Sequence, residues 1–188
     1  MSKYILDIVG MAGSGKSKLC EFICQEYGFE LYRPSDALRE YARKHGRKLE
    51  NRQDYIDIHH ELIETNPMAI ISPVLENAAD RICLDGMRAP LPFLQLRERF
   101  GAKLIYLDCP AEVRLSRIQA DATRSGHRTA VTLEALLTDE APDLTNPNRH
   151  LPNMKEMHEL ADYIIDASKP QEAVMLEAKR IVDEILTA

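Results

Sequence analysis

Between residues 10 and 17 the chain reads Gly10-Met11-Ala12-Gly13-Ser14-Gly15-Lys16-Ser17, the pattern G-x-x-x-x-G-K-S. This pattern constrains the fold because it works only in one setting, a buried strand running into a glycine-rich turn that opens a helix. Both flanks fit. Tyr4 to Val9 is nearly continuous in apolar residues, as a strand covered on both faces should be. Lys18 to Tyr27 carries Leu19, Cys20, Ile23, Cys24 and Tyr27 at helical spacing. Glycines let backbone wrap close to an anion, and the unpaired N–H groups of the helix start then face it. In such a loop Lys16 reaches the β- and γ-phosphates and the Ser17 hydroxyl ligates Mg²⁺. Asp7 interrupts the apolar strand; it either pairs with a polar group in the sheet or touches the site.

The remaining chain alternates short apolar strands with helices, which implies a parallel sheet with helices on both faces. The strands are expected at Tyr4–Val9, Phe29–Tyr32, Arg81–Asp85, Lys103–Leu107 and Tyr163–Asp166. Helices are expected from Ser35 as an N-cap, over Gln53–Glu64, from Asn66-Pro67 to about Ala79, from Pro92, from Pro110, over Met154–Ala161 and over Pro170–Leu186. Pro73 falls inside the third of these, so that helix either kinks there or starts at Ser72-Pro73. Asp121 to Asn153 has weak periodicity apart from Leu133–Leu137 and reads as a lid of irregular or short helical structure. At 188 residues this is one domain: a core of about 1–34, 80–120 and 154–188, a helical acceptor-binding region of about 35–79, and the lid at 121–153.

Arg81–Asp85 ends in an acid. Ligands of open parallel sheets bind at the C-terminal edge, so Asp85 stands where a Mg²⁺ ion needs a carboxylate, directly or through its waters. Phosphoryl transfer is mostly positioning plus charge neutralisation, and several convergent cations serve it better than a nucleophile. Lys16, Arg39, Arg88 and Arg117 lie at strand ends and helix starts, where such cations are needed.

Composition excludes other classes. A net charge of −6 argues against binding long nucleic acids, and no apolar run is long enough for a membrane span. Cysteines 20, 24, 83 and 109, with no secretory leader, read as reduced thiols of a cytoplasmic protein. Cys20 and Cys24 have i, i+4 spacing that could seed a metal site, but they share the apolar stripe and read as core thiols. His59 and His60 are adjacent and point to different faces. No D-x-x-G element with a downstream N-K-x-D occurs, which disfavours a GTPase switch.

With these motifs in view, the chain resembles the nucleoside monophosphate kinases, adenylate kinase most clearly, and the dephospho-CoA-kinase-like and nucleotide-kinase-like proteins. Ser35-Asp36-Ala37-Leu38-Arg39 resembles the acceptor-binding T-G-D-x-L-R without its glycine, and Asp85-Gly86-Met87-Arg88 resembles D-G-F-P-R shortened by one residue. Asp108-Cys109-Pro110-Ala111-Glu112 running to Arg117-Ile118 resembles the run into the lid, and Lys169-Pro170 the loop beside the donor base. The resemblance implies a three-layer α/β/α fold with strand order 2-3-1-4-5, and ATP with Mg²⁺ as donor. It implies a donor site of Gly10, Ala12, Gly13, Ser14, Gly15, Lys16, Ser17, Lys18, Arg117, Lys169 and Pro170. Ser35, Asp36, Arg39 and Arg88 would hold a small phosphorylated acceptor, with Lys16, Asp85, Arg88 and Arg117 acting in transfer and Ser17 and Asp85 on the metal. Asp121 stands where adenylate kinases carry a second lid arginine, so Arg124, Arg128 or Arg149 must supply that charge. The expected activity is transfer of the γ-phosphoryl group to a nucleoside or deoxynucleoside monophosphate by a monomer or homodimer. Transfer to a ribose hydroxyl, as in dephospho-CoA kinases, and an ATPase regulating a partner are the alternatives.

Overall fold

The computed structural model describes residues 3–121 and 132–187. Five parallel strands, β1 (Tyr4–Gly10), β2 (Glu30–Tyr32), β3 (Arg81–Asp85), β4 (Lys103–Asp108) and β5 (Tyr163–Asp166), lie in the order β2-β3-β1-β4-β5. The expected strand order is therefore found. β1 is central, with Ile8 level with Asp85 on one side and Ile105 on the other. Its side chains alternate between two cores. Ile5 and Val9 join Ile82, Leu84, Leu104 and Phe93 on one face, while Leu6 and Ile8 join Cys83, Ile105 and Ile165 on the other. Burial on both faces explains why β1 shows so little polar alternation.

Helices α1 (Lys16–Tyr27) and α9 (Gln171–Thr187) cover the second face through Leu19, Ile23, Ala178 and Ile181. On the first face pack α2 (Pro34–Lys44), α3 (Arg52–Thr65), α4 (Ser72–Glu76), α5 (Pro90–Phe100) and α8 (Met154–Glu159). The helical region between β2 and β3 thus shares the main core, through Leu38, Ile58, Ile63 and Ile71. After β4 come α6 (Ala111–Ala120) and α7 (Leu133–Leu144).

Several helix starts differ from expectation. Ser35 does not cap α2: Pro34 is its first residue and Arg33 precedes it, because proline's fixed φ and missing N–H suit the first helical position. The same preference starts α5 at Pro90 rather than Pro92, whereas Pro110 caps α6 rather than opening it. α9 begins at Gln171, one residue after Pro170. Asn51 starts α3 through a capping box: its side chain accepts from Asp54 N at 3.1 Å, and Asp54 accepts from Asn51 N at 3.0 Å. No helix runs from Pro67 to Ala79. Residues 67–71 form turns, and α4 starts at Ser72 with Pro73 in its first turn, where no N–H is needed.

Within the expected lid, the described residues resume at Thr132 and form α7 and the turns that lead to α8. α7 is capped by Thr132, whose hydroxyl accepts from Ala135 N at 3.1 Å, carries Pro142 near its end, and buries Leu136, Glu140 and Asp143. Arg124 and Arg128 lie outside the described residues.

Candidate active site

The loop joining β1 to α1 sits at the C-terminal edge of the sheet. Gly13 (φ +81°) is required there twice over. Its conformation disfavours a side chain, and an added Cβ would stand 2.7 Å from the carbonyl oxygen of Arg114. The first turn of α1 follows at Lys16, so the unpaired N–H groups of a helix start border the loop.

Asp85, at the tip of β3, gathers the charges of this loop. Lys16 Nζ donates to Asp85 Oδ1 at 2.5 Å, Ser17 Oγ donates to Oδ2 at 3.2 Å, and Arg33 Nε lies 3.5 Å from Oδ2. The Asp85 side chain is only 6% exposed. Gly86 (φ +85°) wraps the chain past Lys16, and a Cβ there would stand 3.1 Å from Lys16 Cε. Beneath the turn lies Asp7, fully buried, whose Oδ1 accepts from Met87 N at 3.0 Å. Burial pushes the Asp7 carboxyl well above the usual carboxylate range, and the Met87 N–H and the Lys16 charge only partly oppose that. The residue that interrupted the apolar strand is thus the floor of the turn leading from Asp85 to Arg88.

Arg88 leaves this turn toward α7. Its Nη1 donates to Asp143 Oδ2 at 2.5 Å, and its carbonyl accepts from Asn153 N at 3.0 Å. Arg114, on α6, is buried. It forms a two-pronged pair with Glu140 (2.5 and 2.9 Å) and donates to the carbonyls of Ala12 (3.0 Å) and Cys109 (3.1 Å). A buried arginine thereby ties the phosphate loop to α7.

The other expected residues are placed as follows. Arg39 is held by Asp36 one turn earlier on α2, so Arg39 and Arg88 sit on separate carboxylates. Ser35 is half-buried and Lys18 is exposed. Arg117 Nη1 lies 3.6 Å from Cys109 Sγ. Lys169 and Pro170 follow β5, with Lys169 Nζ 3.8 Å from Asp166 Oδ2. Arg149 is paired with Glu156 at 2.5 Å. Cys20 and Cys83 are buried, Cys24 is half-buried, and all are free thiols. Sequence reasoning missed Arg33, Arg114, Glu140 and Asp143. One signal was available: Leu136, Glu140 and Asp143 have i, i+4, i+7 spacing, which puts two acids on the apolar stripe of one helix.

A hydroxyl and a carboxylate are hard oxygen donors suited to Mg²⁺, which takes one or two side chains and completes its shell with phosphate and water. Ser17 and Asp85, 3.2 Å apart at the loop, fit that requirement. Among the described residues no helix is long and apolar enough to cross a membrane.

Residues 9–136 match the protein family described as "AAA domain". Over 191 residues the chain is 26% identical to the cytidylate kinase of Pyrococcus abyssi (strain GE5 / Orsay), covering 96% of this chain and 94% of that one. Among solved structures, it is similar to TT1252 from Thermus thermophilus (TM-score 0.62, 15% identity, 100% of this chain and 98% of that one). It is also similar to the shikimate kinase from Acinetobacter baumannii in complex with shikimate (TM-score 0.58, 19% identity, 100% and 94%).

Proposed function

Because the chain belongs to the AAA-domain family of phosphate-loop proteins and is an ATP-dependent small-molecule kinase, we propose that its acceptor is a nucleoside monophosphate. The observation that carries this is the turn from Asp85 to Arg88, which sets a guanidinium three residues beyond the acid that holds Lys16 and Ser17. A donor loop and an arginine on one short turn suit transfer between two phosphates. Similarity to cytidylate kinase over nearly the whole chain supports the same reading and makes CMP the first acceptor to try.

In this reading Lys16 exchanges Asp85 for the β- and γ-phosphates of ATP. Ser17 and Asp85 would hold Mg²⁺, which when bound neutralises charge on those phosphates. Arg88 clamps the acceptor phosphate, with Arg39 and Asp36 on its other side. Arg117, Lys169 and Pro170 border the donor base, and α7, fixed to the phosphate loop through Glu140 and Arg114, walls the site.

The test is steady-state kinetics at saturating ATP with varied CMP. Arginine's planar fork contacts phosphate at two points and lysine does not reproduce it. Arg88→Lys should therefore already impair transfer and Arg88→Ala impair it more, with ATP affinity little changed. Parental KM and kcat for CMP in both variants would mean that the acceptor is not held by its phosphate at Arg88.

A further inference from the structure

Arg88 carries an anion of its own. Its partner Asp143 is 7% exposed and Arg88 itself 33%, so their 2.5 Å contact is largely shielded from water and salt. Nor is Asp143 a mobile counter-ion. It sits on α7 three residues after Glu140, whose two-pronged contact with buried Arg114 fixes that helix against the phosphate loop. A tethered carboxylate competes at high effective concentration with any incoming ligand that makes the same contact.

We propose that Asp143 is a specificity-determining residue, a charge threshold on Arg88 that admits doubly charged phosphate monoesters and refuses singly charged acceptors. The proposal rests on the nucleoside-monophosphate reading and deepens it. A carboxylate or a phosphodiester offers Arg88 one negative charge, which Asp143 already supplies without any cost of association. A phosphate monoester carries a charge of about −1.5 to −2 at neutral pH and three acceptor oxygens. It therefore exceeds what Asp143 gives and engages the guanidinium fork at two points. The arginine fork alone suits carboxylate and phosphate alike. Selection between them comes from a penalty built against the weaker anion.

The experiment uses the full chain without ATP. CMP, its singly charged 5′-methyl ester and cytidine 5′-carboxylate are each titrated calorimetrically, and the Arg88 side-chain Nε–H resonance reports that binding occurs at this residue. The parental chain should bind CMP about tenfold or more tighter than either singly charged compound, a gap of about 1.4 kcal/mol or more. Asp143→Asn should close that gap to about two- to threefold, mainly by tighter binding of the singly charged compounds. Asp143→Ser, the second neutral variant, should do the same should the amide disturb α7. An unchanged ratio in the neutral variants would overturn the proposal. So would weaker CMP binding, which would make Asp143 a group that aims Arg88 instead of competing for it. Turnover is read separately. A chain that phosphorylates no nucleoside monophosphate loses the functional reading and the threshold with it. A chain that phosphorylates CMP but keeps its discrimination in Asp143→Asn loses the threshold alone.

Discussion

Replacing the buried Glu140 by alanine should destabilise the chain more than replacing an exposed residue of α7. The Arg114 and Glu140 side chains are 6% and 5% exposed, and two contacts of 2.5 and 2.9 Å join them. Among the described residues, removing the carboxylate leaves the buried guanidinium with the carbonyls of Ala12 and Cys109 as partners. Breaking a buried pair from one side costs about 3–5 kcal/mol. For a chain of this size each kcal/mol moves Tm by about 2–4 °C, so the expected loss is about 6–20 °C. Glu140→Gln keeps an acceptor oxygen and should fall between. The double variant Arg114→Met/Glu140→Leu should lose much less than the sum of its single variants, since well-packed apolar groups replace a buried pair at little cost. Urea unfolding followed by circular dichroism measures the parental chain, these variants and the single variants Arg114→Met and Glu140→Leu. A loss below about 1 kcal/mol in Glu140→Ala, or strict additivity in the double variant, would refute the claim that this pair holds α7 to the phosphate loop.

Lys16→Ala should fold normally and lower turnover by about a hundredfold or more, because a well-aimed cation at the transferring group is worth about 3–4 kcal/mol; steady-state ADP formation checks it. A titration of unfolding against pH should expose His59, which burial holds at a pKa of about 4 with a smaller push from His60. Unfolded chain takes up this proton below about pH 6.5 and folded chain only near 4, so the imidazole withdraws stability as pH falls through that window. Relative to His59→Gln, the parental chain should therefore lose about 2–3 kcal/mol between pH 7 and 4.5. Parallel pH profiles for the two chains would show that His59 is not buried as a neutral ring.

The fold was legible because its signals are local. A glycine-rich loop between a double-buried strand and a helix, followed by apolar runs ending in Asp85 and Asp166, leaves few arrangements other than this sheet. Lys16, Ser17 and Asp85 were legible for the same reason, each being fixed by a strand end or a helix start. Helix boundaries slipped by one or two residues where consecutive candidates competed, as with Pro34 against Ser35 and Pro90 against Pro92. The charges deep in the site were not legible. Asp143 and Glu140 look like part of a solvated acidic stretch until their arginines are supplied from the turn after β3 and from α6, 55 and 26 residues away in sequence. Periodicity reports which face is apolar, and a buried ion pair hides on that face as an exception. Arg39 shows the opposite case: its motif position suggested convergence with Arg88, yet its nearest carboxylate is Asp36 on its own helix.

The measurement that bears most directly on the account is transfer of labelled γ-phosphate from Mg-ATP to a panel of ribo- and deoxynucleoside monophosphates, dephospho-CoA and water, with the labelled product identified in each case. The account predicts ADP formation that depends on the acceptor, with label recovered in a nucleoside diphosphate and CMP among the acceptors used. Label released as inorganic phosphate at the same rate with or without acceptor, or transferred to dephospho-CoA alone, would contradict it.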